Sequence, residues 1–329
     1  MRHRPSVSIV TPCYNASGHI ERYLDSVWAQ TYAPMELILV NDGSTDGTET
    51  LCLSYAQRFE QAGIRFVYLS QQNKGQAAAL NRGLKHIKGD YILWPDADDI
   101  LHPEHVAHKV AFLEAHPACG LVMCRARMVH EEDVHKVIGQ TPYHPERKDK
   151  LFTDLIEGKY ANLCNGLYML RTKHLLQVNP GLEIYENRAG QNWQMLLPMA
   201  YHFPCGYLDE FLYDYVVRKE SHSHKSFSEP ASALQQLSGM QDILQHVIEN
   251  MDIDQKEGIL KGIREQYARK KLALAGELRD TALADAQKGE LTMLGRYTFF
   301  DRLRYLAARS GMVRALISAV KRLKGLKRA

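Results

Sequence analysis

The stretch "YILWPDADDIL", residues 91–101, decides how this chain is interpreted. The apolar run Tyr91–Trp94 is typical of a buried β-strand, and it ends at a proline. Three aspartates then follow within four positions: Asp96, Asp98 and Asp99. Carboxylates this close repel one another, so either water or a cation must stabilise their charge. The stretch therefore predicts a strand whose end is a solvated or cation-binding loop.

Three similar units precede this one along the chain. The short apolar runs "VSIV" (7–10), "MELILV" (35–40) and "IRFVYL" (64–69) each end in polar, turn-forming residues. Segments with helical spacing lie between them, at 18–30, 48–62 and 73–87. This alternation predicts an α/β fold with a mixed, mostly parallel sheet and helices on both faces.

Ligands of such sheets bind outside the carboxyl ends of the strands. The four polar segments "TPCYN", "NDGS", "QQNKG" and "DADD" are expected to meet at that edge. Neither GxGxxG nor GxxxxGK[ST] occurs after the first strand, which argues against dinucleotide binding of the usual kind and against a P-loop. Mg²⁺ and Mn²⁺ prefer carboxylate oxygens and often keep substrate phosphates as further ligands. The aspartates therefore suggest a divalent cation bound together with a diphosphate, and a solvated acidic turn is the alternative.

The composition is that of an ordinary soluble globular protein. The chain has 329 residues, 24% of them charged, and a net charge of +3, which gives no argument for nucleic-acid binding. The sequence contains no run of about 18 apolar residues, the length that a membrane-spanning helix needs. Six scattered cysteines without a CxxC pair predict reduced thiols in a cytoplasmic protein.

Four segments together resemble the family 2 glycosyltransferases of the GT-A (Rossmann-like) fold. They are "SVSIVTPCYNASGHIERYLDSVWAQTY" (6–32), "ELILVNDGSTDGT" (36–48), "NKGQAAALNRGLKHIKGDYILWPDADD" (73–99) and "YLDEFLYDYVVR" (207–218). The resemblance implies a GT-A domain over residues 1–222. It also implies inverting transfer of a sugar from a nucleotide diphosphate sugar, most often a UDP-sugar, with Mn²⁺ or Mg²⁺.

The same resemblance implies roles for individual residues. One group would bind the nucleotide sugar: Thr11, Pro12, Tyr14, Asn15, Asp42, Lys74, Gly75, Gln76, Asp96, Ala97 and Asp98. Within it, Asp96 would face the ribose or sugar, and Asp98 would bind the metal on the diphosphate. His222 or His224, after the last strand, would close over that metal, with a polar linker as the alternative.

The sequence departs from the family pattern where the catalytic base is expected. The acidic pair at the start of the helix is replaced by Gln191 and Asn192, and amides cannot accept a proton at neutral pH. We expect Glu186 to be the base, with Gln191, Asn192 and Trp193 shaping the acceptor site. The alternatives are that Glu186 is a surface charge, and that the enzyme is impaired or uses another base.

Residues 223–329 are predicted to form a helical C-terminal extension. From Arg302 to Ala329 there are nine basic residues and no acidic one, and from Val313 onward apolar residues follow helical spacing. Such a helix would bind an anionic membrane surface, or else pack on the domain or on a second subunit in a homodimer. We expect a peripheral enzyme on the inner face of the cell membrane, acting on a glycan or lipid-linked acceptor in cell-surface polysaccharide synthesis.

Two other functions fit parts of the pattern. A sugar-phosphate nucleotidyltransferase shares a similar sheet and a metal-binding aspartate, but it would release pyrophosphate. A nucleotide-sugar-binding protein that has lost its base is the non-enzymatic alternative. Release of a nucleoside diphosphate from a nucleotide sugar distinguishes the transferase from both.

Overall fold

The computed structural model describes residues 4–159, 164–187, 189, 192–218, 230–316 and 319. The chain divides into two compact units, Met1–Arg218 and Lys219–Ala329. The predicted domain boundary after residue 222 lies outside the described residues. The two units are taken separately below.

The first half of the first unit builds four parallel strands. They are β1 (Val7–Cys13), β2 (Met35–Asn41), β3 (Ile64–Ser70) and β4 (Tyr91–Leu93), in the spatial order β3–β2–β1–β4. Every residue of β2 is buried, as expected for a parallel strand with its two faces covered. The carboxyl ends of all four strands therefore lie at one edge, as the sequence predicts.

The second half continues the same sheet with mixed pairing. It contains β5 (Ile100–Leu101), β6 (Leu121–His130), β7 (Asp133–Gln140), β8 (Tyr168–Arg171) and β9 (Cys205–Val217). Strand β8 lies antiparallel between β4 and β6, β9 runs parallel to β6, and β7 pairs with β6 outside this order. The two-residue strand β5 pairs with β9. This pairing brings the end of β9 to residues 96–99, which we call the aspartate loop.

Helices connect the strands, and those between the first four strands lie at the predicted places. They are α1 (Ile20–Trp28), α2 (Thr48–Ser54), α3 (Ala56–Gln61), α4 (Gln76–Leu84), α5 (His105–Ala115), α6 (Leu151–Glu157), α7 (Thr172–Val178) and α8 (Asn192–His202). The single helix predicted over 48–62 is two helices, α2 and α3, which meet at Tyr55. Helix α4 packs closely on the sheet at Gly83, where a Cβ atom would lie only 2.4 Å from Val10 Cγ1. This contact fixes α4, which carries two of the site residues described below.

The second unit is helical, as predicted. It comprises α9 (Pro230–Asn250), α10 (Lys256–Leu278), α11 (Thr281–Met293) and α12 (Phe299–Arg309), with further helical residues at 311–316. Its core contains small and aliphatic side chains from α10, α11 and α12: Ala268, Leu272, Ala275, Ala284, Leu291 and Ala308. Within the described part of the chain, no helix has the length and apolar character needed to cross a bilayer.

Candidate active site

The loops after β1, β2 and β3 are joined by hydrogen bonds at the carboxyl edge of the sheet. Asn15, in the left-handed region at φ +46°, accepts a bond from the Thr45 amide at 2.9 Å, and its own amide donates to Ser44 Oγ at 2.9 Å. The Gln71 amide donates to the Asn41 carbonyl, also at 2.9 Å. Because each loop contacts the next, the predicted donor-binding segments form one surface.

Asp42 organises the third of these loops. Its buried carboxylate accepts bonds from Gln71 Nε2 (2.8 Å) and from the amides of Lys74 (2.9 Å) and Gly75 (2.8 Å). Gly75 has φ +94°, a conformation that favours glycine, and α4 starts at the next residue, Gln76. Three of the roughly four acceptor positions of a carboxylate are thus used within the chain, and about one remains for a ligand.

The loop after β1, which is predicted to bind the nucleotide sugar, divides into a buried and an exposed part. The Thr11 hydroxyl is fully buried against the Tyr23 hydroxyl, so the Thr11 side chain belongs to the core rather than to the donor surface. Pro12 is half-buried. The Tyr14 side chain is 46% exposed and presents an aromatic ring at the edge.

The three aspartates have three different environments. Asp99 is fully buried and accepts bonds from the Tyr213 hydroxyl (2.8 Å) and the Val216 amide (2.8 Å), so it ties the loop to β9. Burial and the charge of Asp98 raise the pKa of Asp99. Ala97 is also buried. Asp99 is therefore a structural carboxylate, which leaves Asp96 and Asp98 for ligands.

Asp96 is held by two side-chain amides. Its Oδ1 accepts from Gln76 Nε2 at 2.8 Å and from Asn165 Nδ2 at 2.9 Å. Burial and the neighbouring charge of Asp98 raise the pKa of Asp96 to about 7, although the two amide bonds act in the opposite direction. Gln76 begins α4 and Asn165 precedes β8, so two distant parts of the first unit orient this carboxylate.

Asp98 faces two arginines that the sequence analysis did not identify. Arg218 Nη2 lies 2.5 Å from Asp98 Oδ2, and the two side chains are each 21% exposed. Arg22 Nη2 donates to the Asp98 carbonyl at 2.9 Å. Arg218 directly follows β9, the last strand of the first unit, and this position in the sequence is the signal by which it could have been identified.

A neutral histidine completes this cluster. Burial and the charge of Arg218 lower the pKa of His19 to about 4, so the ring is uncharged near neutral pH. Its Nδ1 lies 3.4 Å from Arg218 Nη1 and can accept a hydrogen bond from it. Among the described residues, the charge that balances the Asp98 carboxylate is therefore that of Arg218.

The segment that carries Glu186 is held from both sides by amide side chains. Asn81 of α4 binds both the amide and the carbonyl of Ile184, each at 2.8 Å. Gln194 of α8 does the same at Tyr185, at 2.5 and 2.8 Å. Glu186 itself is exposed, and its Oε1 lies 3.5 Å from Asn81 Nδ2. Helix α4 therefore carries Gln76 on the donor side and, about 7.5 Å further along its axis, Asn81, which holds the segment of Glu186.

The other predicted acceptor residues have different environments. Asn192 starts α8 and its Oδ1 accepts from the Trp94 indole at 3.3 Å, which places it beside the end of β4. Trp193 is buried, and its indole donates to the Leu155 carbonyl at 3.1 Å, so the structure puts it in the core and not on an acceptor surface. Gln191, His222 and His224 lie outside the described residues.

A family model, "Glycosyl transferase family 2", matches residues 8–176. An uncharacterized glycosyltransferase of Rickettsia prowazekii is 34% identical over 175 residues, which are 53% of this chain and 52% of the relative. The putative glycosyltransferase EpsE of Bacillus subtilis is 38% identical over 116 residues, 35% of this chain and 41% of that protein. The chain thus spans about half the length, or less, of these curated relatives.

Solved structures show the same fold at low sequence identity. S. aureus TarS in complex with UDP-GlcNAc matches with a TM-score of 0.60 at 16% identity, over 92% of this chain and 89% of that one. The mannosyltransferase PcManGT from Pyrobaculum calidifontis, in complex with GDP-Man and Mn²⁺, matches with a TM-score of 0.59 at 19% identity, over 98% and 81% of the chains. Since the family model covers more than half of the sequence, this chain belongs to the family 2 glycosyltransferases and has their GT-A fold.

Proposed function

We propose that this chain transfers a sugar from a nucleotide diphosphate sugar to a hydroxyl of a glycan or lipid-linked acceptor, with inversion at the sugar carbon. The observation that carries the proposal is the convergence of Asp96 and Asp98 with the Lys74–Gln76 segment at one edge of the sheet. In this proposal the first unit is the catalytic domain and residues 223–329 are an accessory extension.

The donor is proposed to be a UDP-sugar that carries a hexosyl or N-acetylhexosaminyl group. The exposed ring of Tyr14 offers a face on which a nucleobase can stack. The remaining acceptor position of Asp42 suits an N–H of that base. The UDP-GlcNAc bound to TarS and the GDP-Man bound to PcManGT support the class of donor.

Asp98 fits a divalent cation that arrives with the diphosphate. Its carboxylate is a hard oxygen ligand that is partly open to solvent. The neighbouring Asp99 ties the loop to β9 through its bond with Tyr213. The described residues contain no cluster of three or more His, Cys, Asp or Glu side chains that could hold a metal alone. A site with one or two protein carboxylates is typical of Mg²⁺ or Mn²⁺ bound together with substrate phosphates, and His222 or His224 would add a ligand. When bound, the ion would stabilise negative charge on the leaving diphosphate.

Glu186 is proposed to be the base. Its carboxylate takes the proton of the acceptor hydroxyl, and the acceptor oxygen then bonds to the anomeric carbon. The bond from that carbon to the β-phosphate oxygen breaks, and its electron pair leaves with the nucleoside diphosphate. The bonds that Asn81 and Gln194 make to Ile184 and Tyr185 fix the backbone next to Glu186, which reduces the cost of orienting the base.

The charge of the second unit supports a proposal for the cellular setting. A basic C-terminal segment that begins at Arg302 would hold the enzyme at the cytoplasmic face of a membrane, where lipid-linked acceptors of cell-surface polysaccharides are found. The end of this segment, beyond residue 319, lies outside the described residues.

A thermal-shift screen of nucleotide sugars with Mn²⁺ tests the donor, because a ligand of the folded state raises the unfolding temperature. The nucleoside diphosphate released from the best ligand is then measured. Metal-dependent release supports the transferase, whereas release of pyrophosphate from a nucleoside triphosphate and a sugar phosphate would contradict it. Gln191 and Asn192 favour a second candidate, a nucleotide-sugar-binding protein without activity. It predicts a thermal shift with no turnover for any acceptor tried.

A further inference from the structure

The most exposed large apolar side chains of the described chain are concentrated in one short segment. Met293, Phe299, Phe300, Met312 and Leu316 are 64–84% exposed, whereas other large apolar side chains reach at most 46%. All five lie within residues 293–316 of the second unit. Water-exposed apolar groups that are concentrated in this way mark an interaction surface.

Three of them surround a single turn. Met293 ends α11, and Phe299 and Phe300 are the first residues of α12. We call these three residues the apolar tip. The two phenylalanine rings lie edge to face, with centroids 6.1 Å apart. A capping box between Thr298 and Asp301 fixes the start of α12, so the tip is presented by an ordered helix end.

The charges of the same segment are almost entirely positive. Residues 293–316 contain five arginines (Arg296, Arg302, Arg304, Arg309 and Arg314) and one acidic residue, Asp301. Asp301 is fully buried and bonds to Arg269 and Arg304. Arg296, Arg304 and Arg309 pair with acidic side chains of the same unit, Glu265, Asp301 and Asp285. Arg302 and Arg314 have no acidic partner among the described residues, and every charged residue beyond Leu316 in the sequence is a lysine or an arginine. The segment therefore combines exposed apolar groups with an excess of cations.

We propose that the apolar tip inserts into the surface of an anionic lipid membrane, with the surrounding arginines binding the headgroups. Interfacial binding of this kind combines buried apolar area with attraction between cations and acidic lipids. A second copy of this chain is a poorer partner, because a two-fold interface would place the same basic surfaces against each other. The inference rests on the membrane association proposed above, but not on the transfer chemistry.

The test measures binding of the full-length chain to lipid vesicles by flotation. The vesicles contain phosphatidylcholine alone, or phosphatidylcholine and phosphatidylglycerol in equal parts. We expect binding to the mixed vesicles only. The double variant Phe299→Ser/Phe300→Ser should bind the mixed vesicles with an affinity reduced at least roughly tenfold, since two partly inserted rings are lost.

The matched control is Val137→Ser/Ile138→Ser, which removes two exposed apolar side chains of β7 in the first unit, 44% and 46% exposed. It should bind the mixed vesicles as the wild type does. A Phe300→Trp variant adds a readout of insertion, because its fluorescence should shift to the blue and be quenched by brominated lipid chains.

Three results would overturn the proposal. The wild type could bind neither kind of vesicle, or the Phe299/Phe300 double variant could bind the mixed vesicles like the wild type. Sedimentation without lipid could also show a dimer that the double variant disrupts, which would assign the tip to a second copy. Donor hydrolysis in solution, measured on the same variants, tests the transferase separately, and it should be unchanged by the double substitution.

Discussion

Arg218 pairs with Asp98 across the aspartate loop, with 2.5 Å between the guanidinium Nη2 and the carboxylate Oδ2. The two residues lie far apart in the sequence, and β9 brings them together by ending beside the loop. Arg218 is thus the counter-ion of the carboxylate proposed to bind the metal.

The Arg218→Met substitution is expected to increase the affinity for Mn²⁺ when no nucleotide is present. The arginine competes for Asp98, and its removal should lower the dissociation constant by roughly tenfold, about 1.4 kcal/mol. Electron paramagnetic resonance of free Mn²⁺ measures this directly. Arg58→Met, which removes an exposed pair with Asp25, is the control and should change nothing. An unchanged Mn²⁺ affinity in Arg218→Met would show that the pair does not compete with the metal.

Alanine at Asp98 and at Asp99 should have opposite consequences. Asp98→Ala should abolish metal-dependent release of nucleoside diphosphate with little change in thermal stability, because Asp98 is partly exposed. Asp99→Ala should lower stability by about 2–4 kcal/mol, since it leaves the Tyr213 hydroxyl and the Val216 amide without their buried partner. Urea denaturation and a coupled diphosphate assay measure the two effects. Activity of Asp98→Ala that persists after chelation would refute the metal assignment.

Glu186→Gln is expected to reduce turnover with the true acceptor by about 10²–10⁴-fold while donor binding is retained. The amide keeps the shape of the side chain and removes its ability to accept a proton. Glu183→Gln is the matched control, because Glu183 is an exposed neighbour that pairs only loosely with Lys85, at 3.5 Å. Full turnover in Glu186→Gln, or an equal loss in Glu183→Gln, would assign the base elsewhere. Titration calorimetry with the donor checks that binding is intact.

Asp301 should give the helical unit a stability that depends on pH. Burial alone would raise the pKa of Asp301, but the bonds from Thr298 and Arg269 outweigh it and hold the pKa below its usual value. A carboxylate with a lowered folded-state pKa stabilises the fold above its unfolded pKa of about 3.9, and this contribution is lost as the pH falls through the folded value.

Asp301→Asn should therefore lower stability by roughly 2–4 kcal/mol near neutral pH and by much less in strong acid. Urea denaturation at several pH values, followed by circular dichroism, measures the difference. The control is Asp285→Asn, whose exposed carboxylate pairs with Arg309 at the surface and should matter little at any pH. A loss of stability in Asp301→Asn that is the same at every pH would show that the charge is not the cause.

Much of the fold follows from local pattern in the sequence. The apolar runs before Pro12, Asn41 and Pro95 predict β1, β2 and β4, because a buried parallel strand needs a short continuous apolar segment. Parallel order then places their polar ends at one edge, whatever the details of packing. The break of the 48–62 helix at Tyr55 was not predictable in this way, because its apolar spacing continues across the break.

The sequence by itself determined that acidic and polar loops converge at one edge of an α/β sheet, and that the second half of the chain ends in basic helices. Only the tertiary structure decided what each aspartate does: Asp99 is buried against Tyr213, Asp96 is held by Asn165, and Asp98 faces Arg218. The physical reason is that the charge and accessibility of a carboxylate depend on the partners that folding brings to it. Those partners come from β8, β9 and their neighbouring segments, far along the chain, where no local periodicity indicates the contact.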